Sequence, residues 1–173
     1  MPITLYDAFV PTVRQMAGSF ARILGNADEW AAGAGMSEAD MLGARLHETM
    51  LPFPFQVRSI AHHSMGAIEA VRSGVFDAFG GESPDTLAGM QELLARTIVA
   101  LDSVSAGELE ARADADVVFT MKDVRIPFTA SDFLLSFSQP NFFFHTSTAY
   151  GLLRQLGMPL GKRDFLGRMR VKA

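Results

Sequence analysis

Leu5, Phe9, Val13, Met16, Phe20 and Ile23 recur at steps of three and four through the first two dozen residues. An α-helix turns once every ~3.6 residues, so this spacing puts all six on one face. A stripe of that kind must be buried against something, and the chain repeats the pattern. Val57, Ile60, Ala61, Met65, Ile68 and Val71 mark a second stripe, and Leu87, Met90, Leu94, Ile98 and Leu101 mark a third. A fourth helical pattern continues past Pro140 to about Leu156. Four long helices with few strands predict an all-α fold, a helix bundle with one small accessory hairpin.

Local chemistry sets the expected boundaries. The first helix runs from about Ile3 to Leu24 and ends at Gly25 and Asn26, which tolerate positive φ. Residues 27–52 read as short helical turns between glycines, with Ser37 and Asp40 spaced like a capping box. The second long helix is expected over residues 53–73, with Pro52 and Pro54 at its start and Gly74 closing it. GGESPD is a loop, and Ser83 is expected to cap the third helix with Pro84 as its first residue. SAGELEA adds a final turn. In VVFTMKDVRIPF the period changes, and two β-prone runs around Met121–Lys122–Asp123 predict a hairpin. The helical pattern returns at Thr129. Pro140 either kinks that helix or begins a new one, which Gly157 and Pro159 stop.

The totals narrow the classes of function. With 173 residues, 49% hydrophobic and 20% charged, the chain can bury one real core, and a single domain over residues 1–173 is expected. A formal net charge of -4 lacks the basic face a general nucleic-acid binder needs. There is no cysteine, which excludes disulfides, Cys-based zinc sites, Cys-ligated iron–sulfur clusters and thiol nucleophiles. No apolar run approaches the roughly 20 residues that span a bilayer, and no basic stretch precedes an apolar run in MPITLYDAFVPTVRQ. The expectation is a cytoplasmic protein that meets neither membrane nor nucleic acid.

PNFFFHTSTAY, residues 140–150, raises the chemical question. At ~100° per residue, Asn141 and His145 fall on the same side as Ala149, Leu152 and Leu156, while Phe143 and Phe144 fall toward the opposite side. Leaving either polar group buried without a partner costs on the order of 1–3 kcal/mol. Three arrangements answer that cost. Both groups can be satisfied by protein or buried water. Both can ligate a metal, since i and i+4 positions share a helix face and imidazole suits Zn, Ni, Cu or Fe, although Asn is a poor ligand for these. Or both can orient a small organic ligand. Of the remaining histidines, His62 and His63 lie on opposite flanks of the second helix's apolar face, and His47 lies in the irregular stretch with Glu48. No phosphate loop, GxSxG or complete HExxH is present.

The stretch PNFFFHTSTAYGLLRQLGMPLGKRDFLG, with the MLPF segment, resembles the family known as domain of unknown function DUF1993. That family is similar to the DinB/YfiT-like superfamily of metal-dependent four-helix-bundle proteins. The resemblance spans most of the chain. It implies four helices joined by long crossovers, often paired as a homodimer, and a metal triad of one His on the second helix and an HxxxH pair on the last. Carried over by position, the ligands are His63, with His62 as an additional candidate, together with Asn141 and His145. Asn stands where the pattern has its first His, so a divalent metal (Zn, Ni or Fe) would be held weakly. Active members of the superfamily transfer or hydrolyse thiols and related small molecules. Two functions follow as expectations. One is a metal-dependent enzyme with a degenerate site, a hydrolase or thiol-transferase. The other is a non-enzymatic, metal-free bundle binding a small ligand or a protein partner.

Overall fold

The computed structural model describes residues 3–172. Helix α1, Leu5–Gly25, starts at a capping box in which Thr4 Oγ1 accepts from the Asp7 N–H (3.1 Å) and the Asp7 carboxylate accepts from Thr4 (3.4 Å). Its buried face carries Phe9, Val13, Met16, Phe20 and Ile23, as the spacing requires. Short helices α2, Ala27–Ala34, and α3, Glu38–Gly43, follow, the latter capped by Ser37 with Asp40.

The expected helix over residues 53–73 is two helices, α4, Phe53–His62, and α5, Met65–Ser73. The break falls at His63 and Ser64, where Ser64 leaves helical geometry (φ -113°, ψ -86°). Neither Gly nor Pro causes it. Ser64 Oγ turns back onto the Ile60 and Ala61 carbonyls (2.7 and 3.1 Å), and a side chain outside the helix captures the His63 carbonyl. Each backbone bond given up is worth about 1 kcal/mol net, so such substitutes offset most of the loss.

Helix α6, Leu87–Asp102, begins three residues later than Ser83 and Pro84 suggest. Thr86 is the cap, accepting from Gly89 N–H (3.0 Å), while Glu38 accepts from the Leu87 N–H (2.7 Å). SAGELEA forms a separate helix, α7, Ala106–Glu110, capped by Ser105.

The hairpin consists of β2, Asp116–Met121, and β3, Val124–Thr129, antiparallel and in register from Asp116–Thr129 to Met121–Val124. Lys122 takes the left-handed conformation (φ 53°) that a glycine would take at less cost. A third strand, β1, Val75–Asp77, pairs parallel with β2 and makes the sheet order β1-β2-β3. Three residues after Gly74 carry too little pattern to announce a strand.

After β3 one helical rod runs through a turn at Ala130–Asp132 (α8), a π-helical stretch at Phe133–Ser138, and α9, Gln139–Gln155. Pro140 lies in the first turn of α9, so it stands at the start of a new α-helical segment, one of the two outcomes its position allows. It lacks the N–H that would bond one turn back, and the wider π turn in front of it absorbs that loss. A last helix, α10, Lys162–Leu166, lies along α1, with Phe165 edge-on to Tyr150 (5.3 Å).

The chain is thus mostly helical with a small three-stranded sheet. Phe9, Phe20, Phe53, Phe133 and Phe142 are fully buried in one core, which α1, α4, α6 and α9 enclose through their mutual contacts. Burying each such ring contributes roughly 1.5–3 kcal/mol. Among the described residues, no helix is long and apolar enough to cross a membrane.

Candidate functional site

The break between α4 and α5 and the π stretch before α9 face each other. Ser138, the last π residue, donates its hydroxyl to the His63 carbonyl (3.2 Å) and accepts from His63 Nδ1–H (3.3 Å). A hydroxyl has a single proton, so this pair of bonds assigns the Nδ1–H form to His63 and leaves its Nε2 as an acceptor. Straight helix geometry would send His62 and His63 to opposite flanks. Both residues nevertheless border the same hollow.

His145 is held in the same manner from the facing side. Gln56 Nε2 donates to the Leu51 carbonyl (2.8 Å), which turns its Oε1 toward His145, and His145 Nδ1–H donates to that oxygen (2.8 Å). The His63 and His145 rings lie nearly parallel, 11° apart with centroids separated by 5.7 Å. Asn141, one turn earlier, donates Nδ2 to the Phe137 carbonyl (2.7 Å), leaving its Oδ1 as the unused end. His63, Asn141 and His145 all line one hollow of about 270 Å³, with Phe55, Arg58, Ser59, His62, Phe76, Ala78, Phe119 and Phe137 completing the wall. His62 is committed elsewhere. Its Nε2–H donates to the Asp77 carbonyl (2.9 Å), its ring packs on Phe76 (4.2 Å), and a Cβ at Gly66 would come within 2.9 Å of its Nδ1. His47 bonds to Thr49 beside it and is not part of the hollow's lining.

Burial dominates the electrostatics. It pushes His63 down to about 3, with His145, His62 and Arg58 adding to the effect, and it pushes His145 down to about 4, again with Arg58 adding. Both imidazoles are neutral at pH 7. Arg58, missed in the sequence, carries the one positive charge of the wall. Burial lowers its pKa, against the pull of nearby Asp77, but a guanidinium stays charged. Its Nη2 donates to the Gly80 carbonyl, its Cζ stands 5.7 Å from the centre of the Phe55 ring, and its Nε is buried without a partner.

This wall suits a resident divalent cation poorly. It offers the imidazoles of His63 and His145, a third on His62 that is already engaged by Asp77, one amide, no carboxylate, and a guanidinium in the same space. Among the described residues, no three His, Cys, Asp or Glu side chains gather as a metal-binding group. Gln56 and Ser138 were also missed. Each looks like an ordinary polar residue in a helical stretch, and only the fold shows it fixing a histidine tautomer.

A DinB family member protein from Shewanella denitrificans, known from a crystal structure at 1.83 Å resolution, is similar to this chain. The two superimpose with a TM-score of 0.81 at 25% identity, over 98% of this chain and 95% of that one. No curated protein matches the sequence. Residues 5–166 match the domain of unknown function (DUF1993). With that match covering nearly the whole length, and with a DinB-like fold around it, the chain belongs to the DUF1993 family.

Proposed function

We propose that this protein binds a small organic molecule in the hollow between α4 and α9, using His63, Asn141 and His145 as polar contacts and requiring no resident metal. The reading takes α1, α4 with α5, α6 and α9 as the four members of a DinB-type bundle in a single domain. The observation that carries it is the composition of the wall. Neutral acceptors, four phenylalanines and one guanidinium enclose the space, with no anionic ligand among them. About 270 Å³ lies just under the roughly 300 Å³ at which ligand pockets usually begin, which limits the ligand to a small molecule. A base whose conjugate acid has a pKa near 3 or 4 is also far from the value suited to proton abstraction at pH 7. The imidazoles serve as hydrogen-bond acceptors, and binding is favoured over hydrolysis or thiol transfer.

One feature speaks for the metal-dependent alternative. Both histidines give Nδ1–H to a protein oxygen, of Ser138 and of Gln56, and leave Nε2 free, the usual arrangement of a ligating imidazole. Elemental analysis of purified, untagged protein, followed by calorimetric titration with Zn²⁺, separates the two readings. The expected result is less than about a tenth of a metal ion per chain, unchanged in His145→Ala. Stoichiometric metal that is lost in His145→Ala overturns the metal-free reading. We further propose that the protein is a cytoplasmic homodimer.

A further inference from the structure

Arg58 is only 6% exposed, yet among the described residues no Asp or Glu forms an ion pair with it. Its protein hydrogen bonds go through Nη2 alone, to the main-chain carbonyls of Gly80 and, at 3.5 Å, Ala78. Nε has no partner at all. Asp77 is near enough to be felt, but its carboxylate accepts from the Phe79 N–H (2.9 Å), and Phe55 offers only the face of its ring. A buried charge so incompletely matched is costly, and the cost falls when an anion arrives.

We propose that the hollow takes a small organic carboxylate, bound through Arg58, with its apolar body against Phe55, Phe76 and Phe137 and a hydrogen-bond donor facing His63 and His145. This rests on the small-ligand reading above and names the ligand's class. The donor follows from the histidines. Both have given their Nδ1–H to Ser138 and Gln56, so what each can offer a ligand is an acceptor nitrogen. Carboxylate is favoured over phosphate because a single guanidinium faces the space and the wall has no second cation to match a dianion. Arg58 also borders a neighbouring hollow toward α6. There Glu82 is part of the wall and, with Glu92, already neutralises Arg96, so an anion gains nothing.

Calorimetric titration of the wild-type chain with benzoate, 3-hydroxybenzoate, 3-hydroxybenzamide and inorganic phosphate tests the assignment. The expected order is 3-hydroxybenzoate tightest, benzoate next, and the amide at least about thirtyfold weaker than its acid. Arg58→Gln should bring acid and amide level, and His145→Ala should remove the advantage of the hydroxyl while keeping the preference for acid over amide. If Arg58→Gln does not fold, the comparison of acid and amide on the wild type decides alone. An amide that binds as well as its acid, or phosphate that binds in preference to both acids, overturns the carboxylate assignment and leaves the small-ligand reading standing. Binding of none of the four probes also overturns it. The small-ligand reading falls on a different result, stoichiometric metal lost in His145→Ala.

Discussion

At the scale of single residues, the two facing histidines give the protein a pH dependence whose sign is fixed. Their folded pKa values, about 3 for His63 and about 4 for His145, lie below the ordinary value near 6.5. As pH falls below 6.5 the unfolded chain takes up protons that the folded chain refuses. Stability is therefore lost as pH falls from 6.5 to about 4 for His145 and to about 3 for His63, at about 2 kcal/mol for each histidine by pH 5. The carboxylates paired with arginine, Asp102 and Glu108, have lowered pKa values and add to the loss as pH falls through their ordinary values of 3.8 and 4.5. Burial also lowers His62, which adds in the same direction. Denaturant unfolding of wild type and His145→Gln at pH 7 and pH 5 checks this. The variant should lose about 2 kcal/mol less over the interval, and equal losses would show that His145 titrates normally. The inward direction of Asn141 and His145 could be read from their place in an apolar stripe. Arg58 could not, although a trace of it exists. Its neighbours at i-4, i-3, i+3 and i+4 are Pro54, Phe55, Ala61 and His62, so no acid on its own helix is placed to pair with it.

At the scale of elements, the site depends on two irregularities that meet. The α4–α5 break exposes the His63 carbonyl, and the π stretch delivers Ser138 to it. Ser138→Ala leaves both that carbonyl and His63 Nδ1–H without partners in a buried place, at a cost of about 1–3 kcal/mol. It also releases the ring to sample both tautomers. Urea unfolding and the nitrogen chemical shifts of the His63 ring should both change. A variant as stable as wild type with an unchanged tautomer would mean that the serine does not position the ring. The apolar period revealed the long helices because burial of a face is written along the whole element. It could not reveal the break, because Ser64 acts through its own side chain on carbonyls that any helix possesses. Nor could it reveal β1, whose three residues are ordered by pairing with β2, some forty residues later. Pro140 shows the intermediate case. The residue marks the start of α9, but its own chemistry does not announce the π stretch that precedes it.

At the scale of the whole molecule, two surfaces could recruit a second copy. One is the outer edge of the sheet along β3, where Val124 and Ile126 are exposed. Pro127 sits in that strand without an N–H and Arg125 places a charge beside it, and both features discourage strand addition at an edge. The other is the outer face of α9, where Phe143 and Phe144 are 37% and 57% exposed on consecutive positions. Two adjacent phenylalanines on a regular, well-packed helix make a firmer surface than a three-stranded edge, so the homodimer is expected to form across α9. Light scattering at micromolar concentration should then report twice the 18.8 kDa chain mass. Phe144→Asp should return the chain to 18.8 kDa with little change in the stability of the monomer, since the ring is already largely in water. A clean 18.8 kDa species for the wild type removes the dimer altogether. A dimer that survives Phe144→Asp but dissociates when Ile126→Lys is introduced moves the contact to the sheet edge. The α9 interface has a consequence for the hollow as well. Phe144 stands edge-on to the His145 ring at 5.2 Å, so covering Phe144 would also restrain the imidazole that Gln56 orients. Ligand affinity should then fall with dilution through the dimer dissociation range, which a concentration series with 3-hydroxybenzoate would detect, and a concentration-independent affinity would show that site and interface are uncoupled.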